Sequence, residues 1–95
     1  MGRVPLLPEA DVAAALAALP GWSRVGDEIE KTFELASFSD AIAFVVRIGF
    51  LAEAADHHPD IDVRWRRVRV ALTTHDSGGL TASDVDLAQQ IEGVA

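Results

Sequence analysis

The sequence predicts an α+β fold, in which a four-stranded antiparallel sheet carries three helices packed on one face. Two observations predict it. Apolar residues change between helical and strand spacing in the order helix, hairpin, helix, hairpin, helix, and turn signals separate the short strands in pairs. The chain has 95 residues, the size of one domain, so residues 1–95 are expected to form a single domain.

The first helix and the first hairpin are predicted in the N-terminal third of the chain. The segment "PEADVAAALAALPGW" has apolar residues at helical spacing and ends at Pro20-Gly21, which predicts a helix from about residue 9 to 19. The segment "WSRVGDEIEKTFEL" has two short strand-like runs around Gly26-Asp27. It is therefore predicted to form a hairpin.

The second helix is predicted to be about 20 residues long and apolar on two sides. It begins at Ser37, which has Asp40 at capping-box spacing, and runs to the residue before Pro59. The first apolar stripe is predicted to face the core, and the second is expected to be buried by another copy of the chain, unless residues 1–20 cover it. The first stripe consists of Ala41, Phe44, Val45, Ile48, Leu51, Ala52 and Ala55, and the second of Ile42, Val46, Gly49 and Phe50.

The C-terminal part is predicted to contain the second hairpin and the third helix. The segment "DIDVRWRRVRVALTTH" alternates along its length, with Trp65 continuing the apolar side of the first strand and a turn at Arg66-Arg67. Thr81 and Asp84 have capping-box spacing at the start of a closing helix. The apolar side of that helix consists of Leu87, Ala88, Ile91 and Val94.

Composition excludes several classes of function. Eight basic against fifteen acidic residues give a net charge of -7, which disfavours direct nucleic-acid binding, and the arginines of the second hairpin are interpreted as a solvated sheet face. No apolar run approaches the roughly 18 residues of a membrane span, and the N-terminus lacks the features of a signal peptide, so a cytoplasmic protein without membrane contact is expected. The absence of cysteine excludes thiolate chemistry. The chemistry must come from His, Asp and Glu.

All three histidines lie in the segment from residue 53 to 84. His57 and His58 are predicted in the last turn of the long helix, where the helix dipole favours a protonated ring, with Glu53 one turn away facing His57. His75 follows the last strand and can approach them, so that the three imidazoles share a cleft with Glu53, Asp56 and Asp84. Two alternatives stay open. The histidines are ordinary surface residues and Asp84 only a helix cap, or the cluster binds zinc or iron, which is less favoured because adjacent histidines at a helix end point in different directions.

These motifs resemble those of the pterin-4a-carbinolamine dehydratases. The resemblance rests on "E-x-x-D-H-H-P" from Glu53 to Pro59, on Trp65, on "V-x-V-x-L-T-T-H" from Val68 to His75, and on "G-G-L-T-x-x-D" from Gly78 to Asp84. It implies a four-stranded sheet with three helices on one face and a homodimer or homotetramer.

The resemblance also implies a reaction and a site. The reaction is dehydration of 4a-hydroxytetrahydropterin to quinonoid dihydropterin in tetrahydrobiopterin recycling, without a metal or an organic cofactor. Acid-base chemistry of this kind suits imidazoles, which titrate near neutrality. The implied catalytic residues are His57, His58 and His75, with His57 and His75 as the acid/base pair. Glu53, Asp56 and Asp84 are implied to bind the pterin or to orient a histidine.

The sequence departs from the family pattern at three positions: Ala54 replaces a frequent Lys, Ile61 a frequent Trp, and Trp65 a common Tyr. The family also includes protein-binding cofactors of transcription regulators, and relatives that act as assembly chaperones. A catalytically idle binding module is therefore the alternative hypothesis. Retention of all three histidines and of Glu53 favours the enzyme.

Overall fold

A computed structural model describes residues 3–95 and confirms the predicted α+β architecture. The four strands form one antiparallel sheet in the order β1-β2-β4-β3, so each hairpin contributes one central and one edge strand. The elements in chain order are α1 (Glu9–Ala17), β1 (Ser23–Val25), β2 (Glu28–Glu34), α2 (Phe38–Ala55), β3 (Asp60–Arg64), β4 (Arg67–Leu72), a single 3₁₀ turn (His75–Ser77) and α3 (Ala82–Val94).

The core lies between one face of the sheet and the helices. Phe33 pairs with Val68 and Ile29 with Leu72 across β2 and β4, which places apolar side chains together on that face. The ring of Phe33 meets that of Phe44 edge-on, with 4.8 Å between the ring centroids. The buried residues that complete this core include Ile48 and Ala52 of α2, Val70 of β4, and Leu87, Ala88 and Ile91 of α3.

The opposite face of the sheet carries charged side chains in paired positions. Arg69 of β4 forms ion pairs with Glu28 and Glu30 of β2, and Arg66 pairs with Glu34 at 2.6 Å. The two arginines predicted on the solvated face, Arg64 and Arg69, are both open to solvent, with side chains 82% and 39% exposed.

Helix α2 ends earlier than the sequence predicted. It stops at Ala55, and the backbone turns left-handed at Asp56, whose φ is 49°. The His57 N–H donates to the Ala52 carbonyl at 3.1 Å, the bond that characterises a Schellman termination. The left-handed turn at Asp56 ends the helix three residues before Pro59. His57 and His58 therefore lie after the helix. Their predicted placement in its last turn was wrong.

The tip of the second hairpin also differs from the prediction. Arg64 pairs with Arg67, so the turn consists of Trp65 and Arg66 rather than Arg66-Arg67. Two hydrogen bonds between Leu35 and Arg66 hold the turn in this register. The Leu35 N–H donates to the Arg66 carbonyl, and the Arg66 side chain donates to the Leu35 carbonyl. Trp65 therefore takes a positive φ of 54° and is 70% exposed instead of continuing the apolar face of β3.

The second apolar stripe of α2 is uncovered within residues 3–95. Phe50 is 73% exposed, and Ile42 and Val46 are also exposed. The N-terminal segment runs elsewhere, with Leu6 bridging to Thr81 and the Leu7 N–H donating to the Leu80 carbonyl. The alternative in which the N-terminal residues cover this stripe is therefore wrong for residues 3–20. Nowhere in residues 3–95 is a helix long and apolar enough to cross a membrane.

Candidate active site

A cleft of about 770 Å³ opens where the end of α2, the end of β4 and the start of α3 meet. His57 and Asp56 line it from the segment after α2, and Thr74 and His75 line it from the segment after β4. A smaller hollow of about 230 Å³ shares these four residues and also contacts His58. The fold therefore brings all three predicted histidines to one region.

His57 forms a dyad with Asp84. The two side chains are joined by a bond of 2.6 Å between Nε2 and Oδ1, and the Asp84 carboxylate is completely buried. An ionised carboxylate can only accept hydrogen bonds, so the imidazole donates through Nε2–H. In the neutral ring, this places the lone pair on Nδ1.

The second oxygen of Asp84 is held by α3 and by the end of β4. Oδ2 accepts from the Thr81 N–H at 2.9 Å and from the Thr74 hydroxyl at 2.9 Å. The Thr81 contact belongs to the predicted capping box of α3, which is confirmed. Asp84 is thus both a helix cap and the partner of His57. The role of Thr74 was missed, although the "L-T-T-H" motif contains it.

His58 and Glu53 form a second imidazole-carboxylate pair near the protein surface. Their bond of 2.7 Å joins Nε2 to Oε1, with the His58 side chain 58% and the Glu53 side chain 80% exposed. The sequence predicted that Glu53 faces His57, and this pairing was wrong. The left-handed backbone at Asp56 ends the helical geometry on which an i,i+4 contact depends.

His75 begins the 3₁₀ turn and is exposed to the cleft. No ion pair joins it to any other residue in the range 3–95, in contrast with His57 and His58. Asp56 is exposed beside it, whereas Glu53 lines neither the cleft nor the hollow. The site therefore offers one imidazole fixed by a buried carboxylate, one paired at the surface and one free.

Metal binding would need several of these side chains to converge on one ion. Within the described part of the chain, no three His, Asp or Glu side chains are grouped in this way. The donor set itself is arranged as two separate pairs, because His57 and His58 direct their Nε2 atoms to different carboxylates. Each of these two rings therefore contacts its own carboxylate through Nε2.

Comparison with known proteins gives a consistent result over nearly the whole chain. The family described as "Pterin 4 alpha carbinolamine dehydratase" matches residues 5–94. A Roseiflexus sp. (strain RS-1) protein named "Putative pterin-4-alpha-carbinolamine dehydratase" is 60% identical over 88 residues, which cover 93% of this chain and 95% of the relative.

Two solved structures share the fold. The crystal structure of a "transcriptional coactivator/pterin dehydratase" from Brucella melitensis has a TM-score of 0.91 and 35% identity, covering 95% of this chain and 98% of that chain. A pterin dehydratase-like protein described as a RuBisCO assembly factor in the alpha-carboxysome has a TM-score of 0.64 and 20% identity, covering 78% of this chain and 86% of that one. The second likeness concerns the fold alone.

Proposed function

The chain belongs to the pterin 4 alpha carbinolamine dehydratase family, and on this premise we propose that it eliminates water from a 4a-hydroxytetrahydropterin to give the quinonoid dihydropterin. One observation carries the proposal: His57, oriented by the buried Asp84, faces a cleft that His75 also lines. In this proposal the reaction belongs to the recycling of tetrahydrobiopterin.

The elimination requires two proton transfers and no change of oxidation state. A base removes the proton from the ring nitrogen next to C4a, the electron pair forms the C=N bond, and the C4a–O bond breaks. An acid gives a proton to the departing hydroxide, which leaves as water. General acid-base help of this kind typically contributes about 10²–10⁴-fold to a rate.

We assign these transfers to His57 and His75. The Nδ1 lone pair of His57 suits the base, because the bond from Nε2–H to Asp84 fixes the ring and its tautomer. His75 suits the acid, because it is exposed in the same cleft and free to exchange its proton with water. Asp56 at the rim is assigned to binding, where a carboxylate can accept two hydrogen bonds from the amino and amide edge of a pterin.

A stopped-flow assay with 4a-hydroxytetrahydropterin tests the proposed reaction. EDTA-treated protein is expected to accelerate dehydration as well as untreated protein does, because the imidazoles act as proton carriers in this proposal. Folded protein that leaves the rate at its uncatalysed value would contradict the dehydratase and favour the binding-module alternative. Activity lost with EDTA and restored by metal would instead make the histidines ligands.

His58→Ala and Glu53→Ala are each expected to raise KM more than they lower kcat. The proposed role of His58, which lines the hollow, is to hold the pterin equally in the ground state and the transition state, and that of Glu53 is to orient the His58 ring. Steady-state kinetics on the two variants measure the split. Glu9→Ala is a matched control, because its side chain is also 80% exposed and pairs with a cation away from the cleft. A loss confined to kcat would move this pair into the proton-transfer step.

The exposed stripe of α2 supports the proposal that the chain forms a homodimer or homotetramer. Sedimentation is expected to give at least a dimer at micromolar concentration, and Phe50→Asp is expected to weaken it, because the charge would be buried against apolar neighbours. Val25→Asp adds the same charge at an exposed apolar position of β1 and is expected to leave the assembly unchanged. A monomeric wild-type protein would contradict the proposal that this stripe is an interface between copies of the chain.

A further inference from the structure

Three buried polar side chains are hydrogen-bonded in a chain that ends at His57. Thr74 is 9% exposed, and Thr81 and Asp84 are fully buried. The Thr74 Oγ1 lies 2.9 Å from the Asp84 Oδ2 and 2.8 Å from the Thr81 Oγ1. The Thr81 Oγ1 in turn accepts from the Ser83 N–H at 3.2 Å.

The direction of these bonds follows from the donors available. The carboxylate of Asp84 can only accept, so the single hydroxyl proton of Thr74 is directed to Oδ2. The Thr81 hydroxyl must then donate to the Thr74 Oγ1, which has a lone pair free to accept. The chain therefore runs from Thr81 through Thr74 to Asp84, and from the other oxygen of Asp84 to His57.

Thr74 occupies a special place in this chain because it belongs to a different element from its partners. Thr81 and Asp84 cap α3, whereas Thr74 follows β4 and immediately precedes His75. Its backbone is fixed by the bond of 3.0 Å from its N–H to the Gly79 carbonyl. Through Oγ1, it therefore ties the carboxylate that orients His57 to the segment that carries His75.

We propose that Thr74 is a positioning residue for His57, acting through the Asp84 carboxylate. Two donors on Oδ2 stop the carboxylate from rotating and hold Oδ1 toward the Nε2 of His57. This selects the tautomer with its lone pair on Nδ1. The expected effect on kcat rests on the proposed dehydratase function, whereas the positioning of His57 can be measured without substrate.

The decisive comparison is between Thr74→Val and Thr74→Ser. Val has nearly the shape of Thr but lacks the hydroxyl, and is expected to lower kcat about tenfold, with KM little changed, because small misplacements of a catalytic group are costly. Ser restores the hydroxyl and is expected to recover most of the rate. Ile91→Val, which removes one buried methyl group in α3 and is expected to lower stability slightly, is expected to keep the wild-type kcat.

A second measurement requires no catalysis. Nitrogen NMR of the imidazoles is expected to show the Nε2–H tautomer of His57 in wild type and Thr74→Ser, and a mixture of tautomers in Thr74→Val. Should Thr74→Val not fold, Thr74→Cys replaces it, since a thiol is only a weak donor, and the same loss is expected.

The outcomes separate the two proposals. A wild-type protein with no dehydratase activity, but with the His57 tautomer lost in Thr74→Val, would remove the proposed function and keep the positioning role. An unchanged tautomer and kcat in folded Thr74→Val would overturn the positioning role. A kcat reduced equally in Ile91→Val would also overturn it, because the effect would then follow stability alone.

Discussion

His57→Ala is expected to lower kcat by about 10- to 1,000-fold while the protein still binds the pterin. The expectation follows from the geometry of the dyad, in which His57 lines the cleft and is the histidine with a buried carboxylate partner. His75→Ala is expected to cause a loss in the same range, because it removes the second proton-transfer group. Steady-state kinetics measure both losses, and circular dichroism checks that each variant is folded.

The double variant distinguishes two ways of using these histidines. If both act in one concerted elimination, the loss in His57→Ala/His75→Ala is expected to be little greater than the larger single loss. If each serves a different stereoisomer at the hydroxyl-bearing carbon, the losses are expected to multiply. Full activity in both single variants would defeat the catalytic assignment and favour the binding module.

Periodicity and capping motifs were sufficient to predict the architecture. The capping box of α3 and the core stripe of α2 as far as Ala52 were confirmed, because each depends on residues only a few positions apart. Ala55, the last residue of the predicted stripe, is exposed, so its predicted place in the core was wrong. The other two errors in the fold concern chain reversals. The end of α2 and the tip of the second hairpin both use a non-glycine residue with positive φ, Asp56 and Trp65. A positive φ is uncommon for a residue other than glycine, although less so for Asp than for Trp. A local helix termination holds Asp56, whereas the bonds between Leu35 and Arg66 hold the turn at Trp65.

In the candidate site, too, the features that depend on nearby residues were predicted and those that depend on distant residues were not. The histidines were identified as a group, but the partner predicted for His57 was wrong, since Glu53 pairs with His58, and Asp84, predicted to orient a histidine without saying which, pairs with His57. Helical spacing predicted that Glu53 pairs with His57, because it assumed that α2 continues to the histidines. The contact with Asp84 joins residues 27 positions apart and depends on how α3 is placed against the end of α2. No local pattern in the sequence contains that placement.

The Asp84 carboxylate links the folding of α3 to the chemistry of the cleft. Its two oxygens have different partners. Oδ1 accepts from His57, whereas Oδ2 accepts from the Thr81 N–H of the helix cap and from the Thr74 hydroxyl. Every buried side-chain nitrogen and oxygen within residues 3–95 has a hydrogen-bond partner. A change at Asp84 therefore affects several buried donors together, which is costly in a medium of low polarity.

Asp84→Asn is accordingly expected to reduce both stability and activity. An amide presents one acceptor and one donor in place of two acceptors, so it can satisfy only one side of the network. If its NH₂ group faced Thr74 and Thr81, it would lie against two other donors, the Thr74 hydroxyl and the Thr81 N–H. With its NH₂ group toward His57, the ring would have to move its proton to Nδ1, where the lone pair is required. The free energy of unfolding is expected to fall by about 1–3 kcal/mol, and kcat by about 10- to 1,000-fold.

Urea unfolding and steady-state kinetics on the same preparations test this prediction. Asp86→Asn makes the same change at an exposed position of α3 and is expected to alter neither quantity. Because Asp84 acts through His57, the variant His57→Ala/Asp84→Asn is expected to have a kcat no lower than that of His57→Ala, whereas its stability should fall further, since the cap and the Thr74 contact are still disturbed. A kcat loss in the double variant equal to the product of the single losses would show that Asp84 acts on the substrate by a route independent of His57.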